Sequence, residues 1–175
     1  MRNRKSRLLI FTGDGKGKTT AALGMVLRAS GHGMRSLILQ FIKSNKSGEQ
    51  TALKNLHGVE IIQTGRGFVP SPMDPAFPEH RQAAYQGLER AAEALRSRKY
   101  DLIILDEICT AMERGLISED QIMGLIEASD EITCLVLTGR GATDRLIAKA
   151  DTVTEMRSLK HGLHEGIPAQ KGVEY

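Results

Sequence analysis

The sequence predicts an α/β fold, a mostly parallel six-stranded sheet with helices on both faces. Three observations carry that reading. Six strand candidates, most of them short apolar runs, recur along the 175 residues, most separated by stretches of helical periodicity. Strands buried on both faces read as continuous apolar runs, not as alternating ones. The first run, Leu8 to Thr12, stops at Gly13-Asp14-Gly15-Lys16-Gly17, and Lys18-Thr19-Thr20-Ala21-Ala22-Leu23 then opens a helix. The fourth run, Asp101 to Asp106, delivers Asp106 and Glu107 to its carboxyl end, the edge of such a sheet where ligands bind.

A glycine-rich loop between a strand and a helix points backbone N–H groups inward and adds the partial positive charge of a helix N-terminus. Lys18 supplies a mobile cation for phosphate oxygens, and the Thr19 hydroxyl can ligate Mg²⁺. This is the physics of a P-loop, so the fold is P-loop NTPase-like (RecA-like). Gly17-Lys18-Thr19 fits the pattern, but counting back places Thr12 at its first position; the leading glycine is displaced to Gly13, and Lys16 adds a second cation. The signal is strong for triphosphate binding and weaker for ordinary phosphoryl transfer. A plain glycine-rich turn, the alternative, has no need of Lys-Thr-Thr behind it. The Asp106-Glu107 pair, common in isolation, reads behind such a loop as a Walker B-type element holding Mg²⁺ directly or through water, opposite Thr19.

The remaining elements follow in order. Ser36 to Ile42 is the second strand, and Gly31-His32-Gly33 before it is a natural exit from the first helix. Glu49 to His57 could form a short helix, and Val59 to Gln63 is the third strand. The longest helix falls between Pro78 and Arg98, where Ala84, Leu88, Ala91 and Leu95 form one stripe opposite Glu89, Arg90, Glu93 and Arg96. Ser118-Glu119-Asp120-Gln121 has capping-box spacing, and Ile122, Leu125 and Ile126 follow as a buried face. Ile132 to Leu137 and Thr152 to Met156 are the fifth and sixth strands.

Length fits one domain, residues 1–175, with a basic tail over 1–7, a long loop over 64–78 and a C-terminal tail over 157–175. Hydrophobic residues at 41% and charged residues at 26% are ordinary for a soluble globular chain, and a net charge of +3 is too small to argue for nucleic acid. Arg2, Arg4, Lys5 and Arg7 read as a solvated tail, with an anionic-surface role as the alternative. No apolar run approaches a membrane span and the basic start lacks a signal-peptide core, so a cytoplasmic location is expected. Cys109 and Cys134 have no metal-ligand spacing and read as reduced core thiols.

Thr64 to Phe77 holds Pro70, Pro72 and Pro75, and Pro78 lies just beyond. A long loop punctuated this way is usually functional or disordered. Phe68 is one of only seven aromatics in the chain. Either it plugs the loop onto the core, or the loop covers a bulky ligand. Thr138-Gly139-Arg140-Gly141 ends the fifth strand at the ligand edge, and Arg140 there either contacts phosphate or carboxylate or lies exposed in a tight turn. His161 and His164, in a glycine-rich tail, read as satisfied or solvent-exposed and not as ligands. With no Ser-His-Asp set, Cys-His pair or His-Glu-x-x-His pattern, the residues alone reach a Mg-nucleotide-binding P-loop domain.

Taken together, the motifs resemble the P-loop type of ATP:corrinoid adenosyltransferase. The matching residues are Phe11 through Ala22, Gln40-Phe41-Ile42-Lys43, Thr64-Gly65-Arg66-Gly67-Phe68, Leu105-Asp106-Glu107 and Thr138-Gly139-Arg140-Gly141. Ala150-Asp151-Thr152-Val153-Thr154-Glu155-Met156, Lys160-His161 and the closing Ala169-Gln170-Lys171-Gly172-Val173-Glu174-Tyr175 follow in the family's order. The resemblance runs from Leu8 nearly to the end of the chain; the P-loop variant and the tail are its specific parts.

The resemblance implies that a Co(I) corrinoid attacks the ribose C5′ of ATP and that the whole triphosphate leaves. ATP would lie reversed relative to P-loop kinases, so the loop holds a leaving group. Gly13, Asp14, Gly15, Lys16, Gly17, Lys18, Thr19, Thr20 and Arg140 would bind the nucleotide. Thr19, Asp106 and Glu107 would hold Mg²⁺ or Mn²⁺. Lys18, Glu107 and Phe68 would carry the reaction, Phe68 by walling the corrin and excluding its lower axial ligand. A homodimer and a transient flavodoxin or flavin reductase are implied as well. In some family members an aromatic stands two residues after the loop phenylalanine; here it is Pro70, leaving Phe68 alone or Phe77 for that task. The short segment before the P-loop suggests a more exposed corrin, or cover by Arg2 to Arg7 only. A P-loop kinase or ATPase and a non-catalytic ATP-dependent corrinoid carrier are the competing functions.

Overall fold

The central apolar runs form strands buried on both faces under helices, while the edge strands at Val59–Gln63 and Thr152–Glu155 are only partly covered. The computed structural model describes residues 6–45, 47–129 and 134–173. The strands are β1 (Leu8–Thr12), β2 (Ser36–Gln40), β3 (Val59–Gln63), β4 (Leu102–Asp106), β5 (Cys134–Thr138) and β6 (Thr152–Glu155). The helices are α1 (Lys18–Gly31), α2 (Gly48–Leu53), α3 (Phe77–Ser97), α4 (Ile108–Glu113), α5 (Glu119–Ala128) and α6 (Asp144–Lys149), with a 3₁₀ turn at Gly162–Glu165. Strand order is β3-β2-β4-β5-β1-β6, and every pairing is parallel.

Alternation along the strands sorts the core into two layers. Ile38, Leu102, Ile104 and Val136 pack with Ala22, Val26 and Ala29 of α1 and Leu53 of α2. Leu37, Leu39, Ile103, Leu105, Leu135 and Leu137 pack with α3, α4 and α5 on the other face. Each fully buried large aliphatic contributes about 1.5–3 kcal/mol. The predicted stripe of α3 is buried as expected, at Ala84, Leu88, Ala91 and Leu95. The capping box also forms: Gln121 N donates to Ser118 Oγ at 3.3 Å, and Ser118 N donates to Gln121 Oε1 at 2.8 Å. Cys109 is fully buried in α4, and burial, helped by the Glu107 charge, pushes its thiol up to about 12. Cys134 is half-buried and also pushed up, mainly by burial. Among the described residues no helix is long and apolar enough to cross a membrane.

Several boundaries differ from those the sequence suggests. The second strand stops at Gln40, and α2 stops at Leu53, where Leu56 N bonds back to Leu53 O in a turn. The expected start of the fifth strand, Ile132 and Thr133, lies outside the described residues, as do Arg2, Arg4, Lys5, Glu174 and Tyr175. The six-residue α4 was not anticipated.

Strand order has one consequence for function. Because β5 lies between β4 and β1, its last residue, Thr138, stands between the acidic strand end and the P-loop.

The loop after β3 is held against the turn that follows β2. Gly65 N donates to Gln40 O at 3.2 Å and Gly67 N to Ile42 O at 2.7 Å. The chains approach so closely that a Cβ on Gly65 would stand 2.1 Å from the Ile42 carbonyl carbon. Gly65→Ala therefore has to push backbone apart. It is expected to lower the melting temperature by roughly 3–10 °C, which thermal unfolding by circular dichroism checks; an unchanged midpoint would show that this approach is soft. Val69, 7% exposed, is the plug that anchors the loop, and Phe77, 8% exposed, begins α3 inside the core. Phe68, the residue just before Val69, is 87% exposed. The plug role weighed for Phe68 thus belongs to Val69, and Phe77 is committed to packing.

Candidate active site

The P-loop is fixed by its neighbours before any ligand arrives. Gly15 N donates to Met156 O at 2.6 Å, and a Cβ on Gly15 would meet the Met156 carbonyl at 2.7 Å. Only glycine permits this seam between the loop and the end of β6. Lys18 is 7% exposed and turns back into the loop, donating from Nζ to Gly13 O at 2.6 Å and Gly15 O at 2.7 Å. Burial lowers its pKa, the Glu107 carboxylate raises it, and Arg140 lowers it further.

Beneath the loop lies a buried polar network on the sheet edge. Asp106 is fully buried and takes hydrogen bonds at Oδ1 from Thr19 Oγ1 (2.8 Å) and Thr138 Oγ1 (2.8 Å), and at Oδ2 from Gln40 Nε2 (2.9 Å). Thr138 Oγ1 in turn accepts from Glu107 N at 2.8 Å. Glu107 sits at φ 63°, a left-handed conformation that costs a residue with a Cβ about 1–2 kcal/mol. Its side chain is oriented by Thr110, whose Oγ1 donates to Glu107 Oε2 and accepts from Arg140 N at 2.9 Å. Strain of this kind is retained where the surroundings enforce it, and here it turns a carboxylate toward the loop.

These parts enclose a cavity of about 350 Å³. Lys16, Lys18, Lys43, Arg114 and Arg140 line it against the carboxylates of Asp14, Glu49 and Glu107, an excess of cations suited to a polyphosphate. Arg140 Nε faces Asp14 Oδ1 at 3.6 Å across the mouth. Of the residues singled out from sequence, Asp14, Gly15, Lys16, Gly17, Lys18, Thr19, Thr20, Glu107 and Arg140 line this cavity. Gly13 contributes its carbonyl to Lys18, and Asp106 lies underneath, reaching the cavity through Thr19. Phe68 instead edges a second cavity of about 780 Å³ with mainly apolar walls. Lys43 and Glu49, ion-paired at 3.0 Å, line both spaces and form the partition between them.

The donor set fits Mg²⁺. Among the described residues no three His, Cys, Asp or Glu side chains converge to hold a metal. A cation at Thr19 and Glu107 would take its other ligands from nucleotide oxygens and water, the usual binding mode of Mg²⁺.

Sequence reasoning gave no role to Gln40, Thr110, Thr138, Lys43 or Arg114. Gln40 and Thr138 are polar residues ending apolar runs, a readable signal once strand order is known. His161, read as satisfied or solvent-exposed, has Nδ1 accepting from Leu163 N at 3.2 Å, and it lines the cavity at the P-loop.

The family model for ATP:corrinoid adenosyltransferase BtuR/CobO/CobP matches residues 4–175. The chain belongs to this family. A corrinoid adenosyltransferase of Pseudomonas aeruginosa is 38% identical over 99% of this chain and 86% of its own length. Corrinoid adenosyltransferases of a Sinorhizobium species (36%; 98% of this chain, 81% of the relative) and Escherichia coli (32%; 96% and 85%) are similar at comparable coverage. The fold extends further than the family. A KaiC-like protein from Pyrococcus horikoshii superimposes with a TM-score of 0.58 over 90% of this chain and 75% of that one, at 13% identity. That likeness concerns the α/β fold alone. Within the corrinoid adenosyltransferase family, the two adjoining cavities give this chain room for two different ligands.

Proposed function

We propose that the protein transfers the 5′-deoxyadenosyl group of ATP to the Co(I) centre of a corrinoid, acting as one unit over residues 1–175. The observation that carries this reading is the pair of adjoining cavities, one cationic and headed by the P-loop, the other apolar and edged by an exposed phenylalanine. A triphosphate suits the first and a bulky, largely apolar ring suits the second. In the reaction the cobalt(I) electron pair attacks C5′, the cobalt–carbon bond forms, and the C5′–O bond breaks. Triphosphate departs with that bond's electron pair, and the cobalt becomes formally Co(III).

The chain's residues bind, orient and neutralise; none need act as a base, because Co(I) is itself a strong nucleophile. The loop amides, Lys16, Lys18 and Arg140 hold the leaving triphosphate, and their charge stabilises it as it separates. Thr19 and Glu107 would hold Mg²⁺ or Mn²⁺, with Asp106 orienting the Thr19 hydroxyl from below; such an ion would supply further positive charge for the leaving triphosphate. Phe68 covers the corrin face and keeps its lower ligand away. Cobyrinic acid a,c-diamide, cobinamide and cobalamin are the substrates in view, for biosynthesis or salvage of adenosylcobalamin in the cytoplasm. A homodimer and a transient flavodoxin or flavin reductase complete the proposal.

Incubation with Mg-ATP and reduced cobinamide under anaerobic conditions tests it by the phosphate product. Inorganic triphosphate supports the proposal. ADP would indicate a kinase or ATPase, and binding of both ligands without turnover would indicate a carrier.

Glu107 gives a second test. Glu107→Gln is expected to raise the Mg²⁺ needed for half-maximal rate by about tenfold. Glu107→Gly relieves the left-handed backbone and should raise the melting temperature by about 1–4 °C while losing activity. If Glu107→Gln titrates with Mg²⁺ like the parent, Glu107 is not a metal ligand.

A further inference from the structure

Three strands end in polar side chains at the same rank of the sheet. Gln63 of β3 is in register with Gln40 of β2, and Gln40 with Asp106 of β4. Gln40 is fully buried and Gln63 half-buried; a buried amide is costly unless its hydrogen bonds are made, and these two make them in one direction only. Asp106 as a carboxylate can only accept, so the Gln40 amide nitrogen faces it, at 2.9 Å from Oδ2. Gln40 Oε1 is therefore left to accept, and Gln63 Nε2 donates to it at 3.0 Å. The second hydrogen of that same nitrogen goes to Asn45 O, also at 3.0 Å. Asn45 belongs to the wall of the second cavity. One amide group thus touches both halves of the site.

We propose that Gln63 is a positioning residue shared by the two cavities. Through Asn45 it sets the wall of the apolar cavity; through Gln40 it fixes the carboxylate that holds the Thr19 hydroxyl. Gln40 serves only the second of these branches. The apolar-cavity branch rests on the corrinoid reading given above, whereas the carboxylate branch does not.

The two branches predict different patterns for Gln63→Met and Gln40→Met. Mn²⁺ binding to the protein–ATP complex, read from the electron paramagnetic resonance of free Mn²⁺ without any corrinoid, should weaken about tenfold in both variants. The KM for chemically reduced cobinamide at saturating Mg-ATP should rise about fivefold or more in Gln63→Met and stay within about twofold in Gln40→Met. Gln63→Lys keeps two donations and accepts nothing, so it should restore both quantities toward the parent; a purely steric role would show no such rescue. If Gln40→Met fails to fold, the Met and Lys variants at position 63 decide the matter. The proposal is overturned if Gln63→Met shifts only one quantity, if Gln40→Met shifts both, or if Gln63→Lys rescues neither. A parent protein that never turns over cobinamide would overturn the corrinoid reading and the apolar-cavity branch with it. Unchanged Mn²⁺ affinity in both Met variants would overturn the carboxylate branch while leaving that reading intact.

Discussion

Lys18→Ala is expected to weaken Mg-ATP binding by roughly 30- to 1,000-fold, about 2–4 kcal/mol, and to reduce turnover to near background. The ammonium group lies inside the loop, bonded to the carbonyls of Gly13 and Gly15, beside the proposed triphosphate site. Alanine removes both the cation and the loop's internal tie. Lys18→Arg should rescue poorly, because a planar guanidinium does not fit a pocket that leaves the side chain 7% exposed. Isothermal titration with Mg-ATP measures the effect, and near-parental affinity in the alanine variant would contradict the P-loop role.

The pH dependence follows from the lowered pKa of Lys18, which burial sets against the pull of Glu107. Between that lowered value and the ordinary 10.5, the unfolded chain binds more protons at this group than the folded one. This group's contribution to fold stability therefore rises with pH across that window. Nucleotide affinity runs the opposite way, because the triphosphate selects the charged ammonium and loses it as pH rises through the lowered pKa. ATP binding should accordingly take up protons on the alkaline side. Titrations carried up toward pH 10.5 should show affinity falling for the parent and a flatter curve for the weaker Lys18→Arg variant.

Phe68→Ala is expected to cost about 10- to 100-fold in rate when the assay starts from a Co(II) corrinoid with a flavin reductant. A lower axial ligand raises the energy of the orbital that must accept the electron. An aromatic side chain on that face keeps the ligand away and makes reduction easier. When Co(I) is supplied chemically, this step is bypassed and the loss should be no more than about threefold. The substitution is a clean probe because Phe68 is 87% exposed, while its neighbour Val69 and the more distant Phe77 do the packing. Exposed positions of this kind change stability by about 0.5 kcal/mol or less. Pro70 stands where a second aromatic would offer backup, so the contrast between the assays should be large. Equal losses in both assays would show that Phe68 serves only the loop's shape.

The sheet was legible because a strand buried on both faces has to be apolar at every position. The runs Leu8 to Thr12, Ser36 to Ile42, Asp101 to Asp106 and Ile132 to Leu137 do this with little ambiguity. The P-loop and the acidic strand end were readable because phosphate binding demands glycines and a lysine in contiguous sequence. What escaped was three-dimensional adjacency. Thr138 matters because β5 inserts between β4 and β1, and Gln40 and Gln63 matter because β2 and β3 lie in register beside β4. No local spacing announces either fact. The short helix α4 was missed because Glu107, not glycine, takes the left-handed turn that starts it. That choice is explicable only once the carboxylate is seen lining the cavity. Val69 and Phe68 show the same limit at a finer scale: two adjacent apolar residues in one loop, and only packing decides which is buried.

The central claim is that a carbon–cobalt bond forms at the site where the P-loop holds a leaving group. The most direct measurement supplies ATP labelled with carbon-13 at C5′, Mg²⁺ and a chemically reduced corrinoid under anaerobic conditions, and follows the label by nuclear magnetic resonance. The account predicts a new resonance for a light-sensitive, cobalt-bound C5′, appearing in step with one equivalent of inorganic triphosphate. A label that stays in ATP, ADP or AMP while the corrinoid remains unalkylated would contradict it.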